Sequence, residues 1–264
     1  MAEIGTGTVG KALDVLDLIA AQGHPVRFAE LQRLSPLPKA TLYRLVQTLV
    51  INGMVTQDEE SGAYALGMRL VRLAHAAWRQ ASLAPVARPF LDTLSQESGL
   101  TVHLAQMDYG HVLYVDRRDA QDPNAMFTDA GKVAPAYCTG VGKAMLAYLE
   151  PEELDQVLGM QSFHRFTPTT LASETVLRQS LDRIRERGFA IDREEYQTGV
   201  TCAAVPILSA EGRVLGAVSI SGAGSGTETR TLEAWVPRLR ICAEDIAMEA
   251  SHWAFPAEQS AGNV

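Results

Sequence analysis

Residues 37–54, LPKATLYRLVQTLVINGM, combine an apolar stripe with a polar face in a way that a helix satisfies and a strand does not. Leu42, Leu45, Val46 and Leu49 recur at i, i+3, i+4 and i+7, the spacing of a helix that lays one side on a core. Lys39, Tyr43, Arg44 and Gln47 then fall on the outward side. Side chains of these types reach phosphates and base edges in a major groove. An ordinary amphipathic surface helix would show the same pattern, so the neighbours must decide.

Upstream, Val9, Ala12, Leu13, Leu16, Ile19 and Ala20 predict a first helix that stops near Gly23 and Pro25. RFAELQRL at 27–34 predicts a second, with Phe28, Leu31 and Leu34 at i, i+3 and i+6, broken by Ser35 and Pro36. Pro38 suits the first turn of the third helix, where its missing N–H costs nothing, and Gly53 closes that helix. MVTQDEESGAYAL then reads as two short strands around a polar turn at 59–62. Helix, helix, outward-facing helix and hairpin is the order of a winged helix-turn-helix. Within it Lys39, Thr41, Tyr43, Arg44 and Gln47 are the candidate DNA contacts.

A chain of 264 residues has room for about two domains. The net charge of −8 argues against a nucleic-acid partner until it is counted by region. Residues 1–80 hold eight Lys and Arg against seven Asp and Glu, a balance of +1, and the acidity lies in the remainder. A second copy of the chain would double the cationic contacts, each of which adds to the salt-dependent part of affinity. Three separated cysteines without a CxxC pair suggest neither a disulfide framework nor a zinc site, and no metal or cofactor is expected. No apolar run approaches the ~18 residues of a membrane span, and the N-terminus lacks the basic-then-apolar signal pattern. A cytoplasmic protein is expected, disordered in its first residues and from about Pro256 onward.

Residues 67–80 predict a linker helix with Leu70, Leu73, Ala74 and Ala77 at helical spacing; Trp78 would pack against a partner subunit or at a domain interface. Beyond it, residues 83–98, 140–149, 151–160, 173–188 and 228–251 read as helices. Residues 101–107, 111–117, 132–137, 202–208 and 213–221 read as strands, mostly in hairpins, giving an α+β domain.

Alternation over 214–221 puts Ser219 and Ser221 on one face, about 7 Å apart by strand rise, and Val218 and Ile220 on the other. A hairpin at 209–213 would bring Cys202 back beside them, either as a pocket wall or as a buried small hydrophobe. TGVGKA opens a helix at which the N–H groups of Gly140 and Val141 could face an anion; equally, Gly140 and Gly142 could serve close helix–sheet packing. Asp192 could accept a hydrogen bond from a ligand hydroxyl or be a surface-turn carboxylate, and Glu194 and Glu195 read as solvated charge.

The chain resembles the IclR family of transcriptional regulators over nearly its full length. The matching pieces are KALDVLDLIAAQG at 11–23, LPKATLYRLVQTLVINGMV at 37–55, YALGMRL at 64–70, TGVGKAMLAYL at 139–149, RGFAIDREEYQTGVTCAAVPI at 187–207 and GAVSISG at 216–222. The resemblance implies an α+β protein with a winged helix-turn-helix domain at 5–66 and a linker helix at 67–80. It further implies a GAF-like α/β effector-binding domain at 81–255, followed by the disordered tail at 256–264. It also implies a homodimer or homotetramer that binds double-stranded promoter DNA, away from membranes, and answers to a small molecule. Effector contacts carry over to Gly140, Val141, Asp192, Cys202, Ser219 and Ser221, with an apolar wall at Met126, Ala134 and Val200. The small side chains of Ala134 and Val200 suggest room for more than a two- or three-carbon acid, either a carboxylate or a hydroxylated aromatic. Three departures stand out: Ala40 where the family commonly has Ser, Thr201 where many members have Arg, and Tyr137-Cys138 in place of a commoner His-Ala pair.

Two other functions compete with a DNA-binding regulator that acts as a repressor. One is a cysteine-dependent enzyme with Cys202 as nucleophile and His103 or His164 as base, although no histidine shares a recognisable motif with a cysteine and no catalytic residue is assigned. The other is a protein-interaction module without DNA binding, for which the near-neutral N-terminal charge is the best support.

Overall fold

In the computed structural model, which describes residues 7–119, 129–223 and 229–251, the chain forms two compact units, 1–79 and 80–264. In the first, α1 (Thr8–Gln22), α2 (Phe28–Leu34) and α3 (Lys39–Ile51) precede a hairpin of β1 (Val55–Gln57) and β2 (Tyr64–Leu66). The stripe of α3 is buried as its spacing requires: Leu42, Leu45, Val46 and Leu49 enter one core with Leu31, Val55 and Tyr64. Asp58 shapes the hairpin turn by accepting from the Ser61 N–H (2.7 Å) and hydroxyl (2.6 Å). Val26 pairs with Tyr64 and ties the approach to α2 onto the hairpin.

The first helix meets the core differently from its expected stripe. Val15, Leu16 and Ile19 are buried, whereas Val9 is 75% and Leu13 53% exposed. With about 100° per residue, Val9, Leu13 and Ala20 lie roughly a quarter turn from the buried line. Leu34, at the end of a seven-residue helix, is also exposed. Pro38 is the N-cap of α3, one residue ahead of the first turn, with extended ψ (142°). Gly53 does close α3, at φ 69° and with its N–H on Val50 O. Next comes α4 (Met68–Ala81), in which Leu70 packs on the core while Leu73, Ala74 and Ala77 are exposed. The side chain of Trp78, Met126 and the tail at 256–264 lie outside the described residues.

The second unit contains α5 (Ala84–Ser98), β3 (Thr101–Asp108), β4 (His111–Arg118), β5 (Val133–Pro135), α6 (Gly140–Leu146), α7 (Pro151–Gly159) and α8 (Glu174–Arg187). It continues with β6 (Ala190–Arg193), β7 (Val200–Leu208), β8 (Val214–Ala223), α9 (Thr229–Glu233) and α10 (Val236–Ser251). Its sheet has the order β5-β4-β3-β8-β7-β6, antiparallel at every pairing. Ala105, Ala204 and Ala217 on one face join the core built by α6, α7 and α8. The pair α5 and α10, in contact with β3, β7 and β8, covers the other.

Two elements depart from the expected pattern. β6, which was not among the expected strands, forms the sheet edge beside β7. The helix expected over 228–251 is two, because Pro237 has no N–H to donate into a continuing helix; the chain turns at Trp235, whose N–H bonds Leu232 O, and restarts at Val236.

Candidate functional site

Two surfaces carry candidate function, one in each unit. In the first, Lys39, Tyr43 and Arg44 are exposed on the side of α3 opposite its buried stripe, and Thr41 and Gln47 are half-buried at its margins. Tyr43 keeps half its surface exposed while its ring meets Phe28 edge-on at 5.6 Å, so α2 supports it from behind. Gln47 points toward the hairpin and donates to the Tyr64 hydroxyl (3.4 Å), which draws it away from the outermost surface. The structure therefore exposes three of the five candidates and leaves two at the rim.

The second unit holds a cavity of about 30 Å³, lined by Gly140, Val141, Asp192, Val200, Cys202, Ser219 and Ser221. These residues come from α6, β6, β7 and β8, and sheet pairing explains why they meet. Cys202 lies opposite Ser221 on one side and Asp192 on the other, while Ser219 lies opposite His103 on β3. Ala134 does not join them. It sits on β5, three strands from β8 or roughly 14 Å at sheet spacing, and is packed in the core opposite Val112. Val200, the other small side chain expected in the wall, does line the cavity. A cavity of this volume has room for about two waters.

Five further lining residues were not singled out as pocket residues by the sequence: His103, Tyr114, Thr139, Tyr196 and Gln197. His103 had entered only as a possible base. It is buried, its Nδ1 stands 3.4 Å from the Ser221 hydroxyl, and its ring meets Tyr114 edge-on at 5.3 Å. Burial raises the Tyr114 phenol well above its ordinary value, so that group is a neutral hydroxyl in the wall.

Both glycines of TGVGKA are required by packing. A Cβ on Gly140 would lie 2.3 Å from the Cys202 Sγ, and one on Gly142 would lie 2.3 Å from the Ala136 carbonyl oxygen. The Gly140 N–H is directed at Cys202, so it is already engaged. Burial, reinforced by Asp192, pushes the Cys202 thiol up, and a protonated thiol is a poor nucleophile.

Asp192 is a buried strand residue (6% exposed), not a turn carboxylate on the surface. Its Oδ1 accepts from the Glu195 N–H (2.8 Å). Burial pushes its carboxyl up to about 7, with Lys143 pulling the other way and Glu195 adding to the rise. Glu195 is likewise not solvated: it is buried in an ion pair with Lys143, whose Nζ also donates to the Ile191 carbonyl (2.8 Å). Glu194 is held at φ 62° and accepts from the Gly199 N–H. Thr167 and Thr170 donate to the Glu195 carbonyl, fixing the segment that carries Tyr196 and Gln197 over the cavity. Among the described residues no group of His, Cys, Asp and Glu side chains is arranged to hold a metal. No described helix is long and apolar enough to cross a membrane.

Residues 8–59 match the IclR helix-turn-helix domain, and residues 75–248 match the C-terminal domain of bacterial transcriptional regulators of the IclR type. The chain is 35% identical over 214 residues to the HTH-type transcriptional regulator XynR of Escherichia coli K12, covering 81% of this chain and 85% of that one. It is 31% identical to the transcriptional repressor IclR of the same organism, covering 80% and 78% respectively. The crystal structure of the Thermotoga maritima IclR superposes with a TM-score of 0.74 at 28% identity, covering 92% of this chain and 98% of that one.

Proposed function

The chain belongs to the IclR family of bacterial transcriptional regulators, and from that premise we propose that it represses transcription from promoter DNA under the control of a short carboxylate effector. The observation that carries this reading is the pairing, in one chain, of an outward polar face on α3 with a polar cavity in a separate unit. Lys39 and Arg44 contact phosphate or guanine edges, Tyr43 packs against the groove, and Thr41 and Gln47 contribute from the rim. Ser219, Ser221 and Asp192 hold the effector, with Gly140, Val141, Val200 and Cys202 as the surrounding wall.

The acting species is a homodimer or homotetramer. Two recognition helices must enter successive major grooves about 34 Å apart, and the exposed apolar side chains of α4, Met68, Val71 and Leu73, suit association between copies. Effector binding shifts the second unit between two states, and α4 passes the change to the spacing of the paired helices. A DNA partner places the protein in the cytoplasm.

The test joins two measurements on the full chain. Thermal-shift screening covers short carboxylates and hydroxylated aromatics, and gel-shift on the duplex upstream of the gene follows with each stabilising compound. A short acid that raises the melting temperature and changes the shifted fraction is the expected result. Stabilisation by aromatics alone would reassign the effector, and binding to no duplex would remove the regulator reading in favour of a protein partner.

A further inference from the structure

A carboxylate in this cavity meets an electrostatic difficulty. None of the described residues lining it is Lys or Arg, and segments 120–128 and 224–228 contain neither. Lys143, the cation acting on Asp192, is committed to the Glu195 carboxylate and the Ile191 carbonyl. Arg193, next to Asp192 in sequence, is exposed and pairs with Glu233 (3.8 Å). With Lys143 and Glu195 cancelling, an ionised Asp192 would leave the wall with one negative charge facing an anion. Two carboxylates at hydrogen-bond distance in a buried site do not both stay ionised.

We propose that the cavity binds its carboxylate effector together with one proton, held on Asp192 and donated to a ligand oxygen. This rests on the effector reading given above. The geometry provides the device: Asp192 is buried, its Oδ1 is fixed by the Glu195 N–H, and its carboxyl lines the cavity beside the neutral hydroxyls of Ser219 and Ser221. Among the described residues, the titratable groups around it come from several elements and the turns between them. Lys143 comes from α6, Cys138 from the turn before it, and Glu194 and Glu195 from the segment after β6; Cys202 comes from β7, His103 from β3 and Tyr114 from β4. The thiols and the phenol are neutral, and burial already holds Asp192 near the top of the carboxylate range. In the step itself one solvent proton and one ligand anion enter, and the Asp192 O–H donates to the ligand carboxylate. On release the ligand leaves as the anion and the proton returns to solvent. No other bond changes.

The experiment is isothermal titration calorimetry of the full chain with glycolate, lactate and benzoate between pH 5.5 and 8.5, in buffers of different ionisation enthalpy. The neutral amides glycolamide, lactamide and benzamide serve as controls. The acids are expected to weaken about tenfold per pH unit above pH 7 while taking up close to one proton, and the amides to show neither effect. Asp192→Asn should bind the same acid at pH 8 without that slope. A measurable Kd that is flat with pH and involves no proton uptake overturns the proposal, a result that wild-type protein alone can deliver. A slope lost in His103→Gln but kept in Asp192→Asn moves the proton to the imidazole and also overturns it. Absence of heat with every acid removes the carboxylate reading beneath the proposal, which is a different outcome from pH-flat binding.

Discussion

Replacing Gly140 with alanine places a methyl carbon 2.3 Å from the Cys202 Sγ, against an ordinary carbon–sulfur contact more than an ångström longer. Both partners are buried, so either α6 lifts from β7 or the thiol leaves its rotamer. The other two neighbours, the Cβ atoms of Ala204 and Asp192, lie at 3.5 Å and tolerate the methyl. The clash thus resides in one atom. Overpacking of this kind costs about 1–3 kcal/mol, offset by up to about 1 kcal/mol from replacing a helical glycine. For a unit of this size each kcal/mol moves the melting temperature by roughly 2–4 °C. Cys202→Ala removes the sulfur, so the double variant should be more stable than the sum of the singles predicts, by about 1–2 kcal/mol. Urea unfolding of wild type, both single variants and the double variant, followed by circular dichroism, measures that coupling. If the two effects simply add, the packing account of Gly140 is wrong.

Three other outcomes follow from the same site. Lys143→Met strands the buried Glu195 carboxylate and should destabilise by about 3–5 kcal/mol; adding Glu195→Gln should recover part of this, read from denaturation midpoints. Because Asp192 titrates near 7 when folded but near 3.8 in its ordinary state, the native protein retains a proton that the unfolded chain has released over that window. This group therefore makes stability fall as pH rises from about 4 to about 7 and then level off, and Asp192→Asn should lack that fall in its pH–stability curve. Iodoacetamide at neutral pH should leave Cys202 unlabelled in native protein, since burial keeps its thiol protonated; rapid modification mapped by mass spectrometry would revive a nucleophilic role.

What the sequence revealed followed the range of its interactions. The α3 stripe and the hairpin after it were legible because their patterns repeat within a few residues, and the β7–β8 hairpin placed Cys202 beside Ser221 by counting along two adjacent strands. His103 and Tyr114 were not legible as wall residues, because β3 meets β8 across more than a hundred residues of chain. Glu195 read as solvated because it is polar in its own segment, and Lys143 was not singled out; only the tertiary fold shows that they neutralise one another. Ala134 was carried over from the family resemblance and is packed in the core on β5, outside the lining of the cavity. Pro237 did mark the break between α9 and α10, but the apolar spacing around it disguised the interruption.

The α3 face and the polar cavity divide the labour between DNA and effector. Fluorescence anisotropy of a labelled duplex from the upstream region, titrated with wild type, Arg44→Ala and Ser219→Ala over a range of salt, tests this division most directly. Arg44→Ala should weaken binding and lower the salt slope by about one. Ser219→Ala should bind the duplex as wild type does while losing most of the response to effector. A folded Ser219→Ala protein that no longer binds DNA, or an Arg44→Ala protein that binds it unchanged, would contradict the claim.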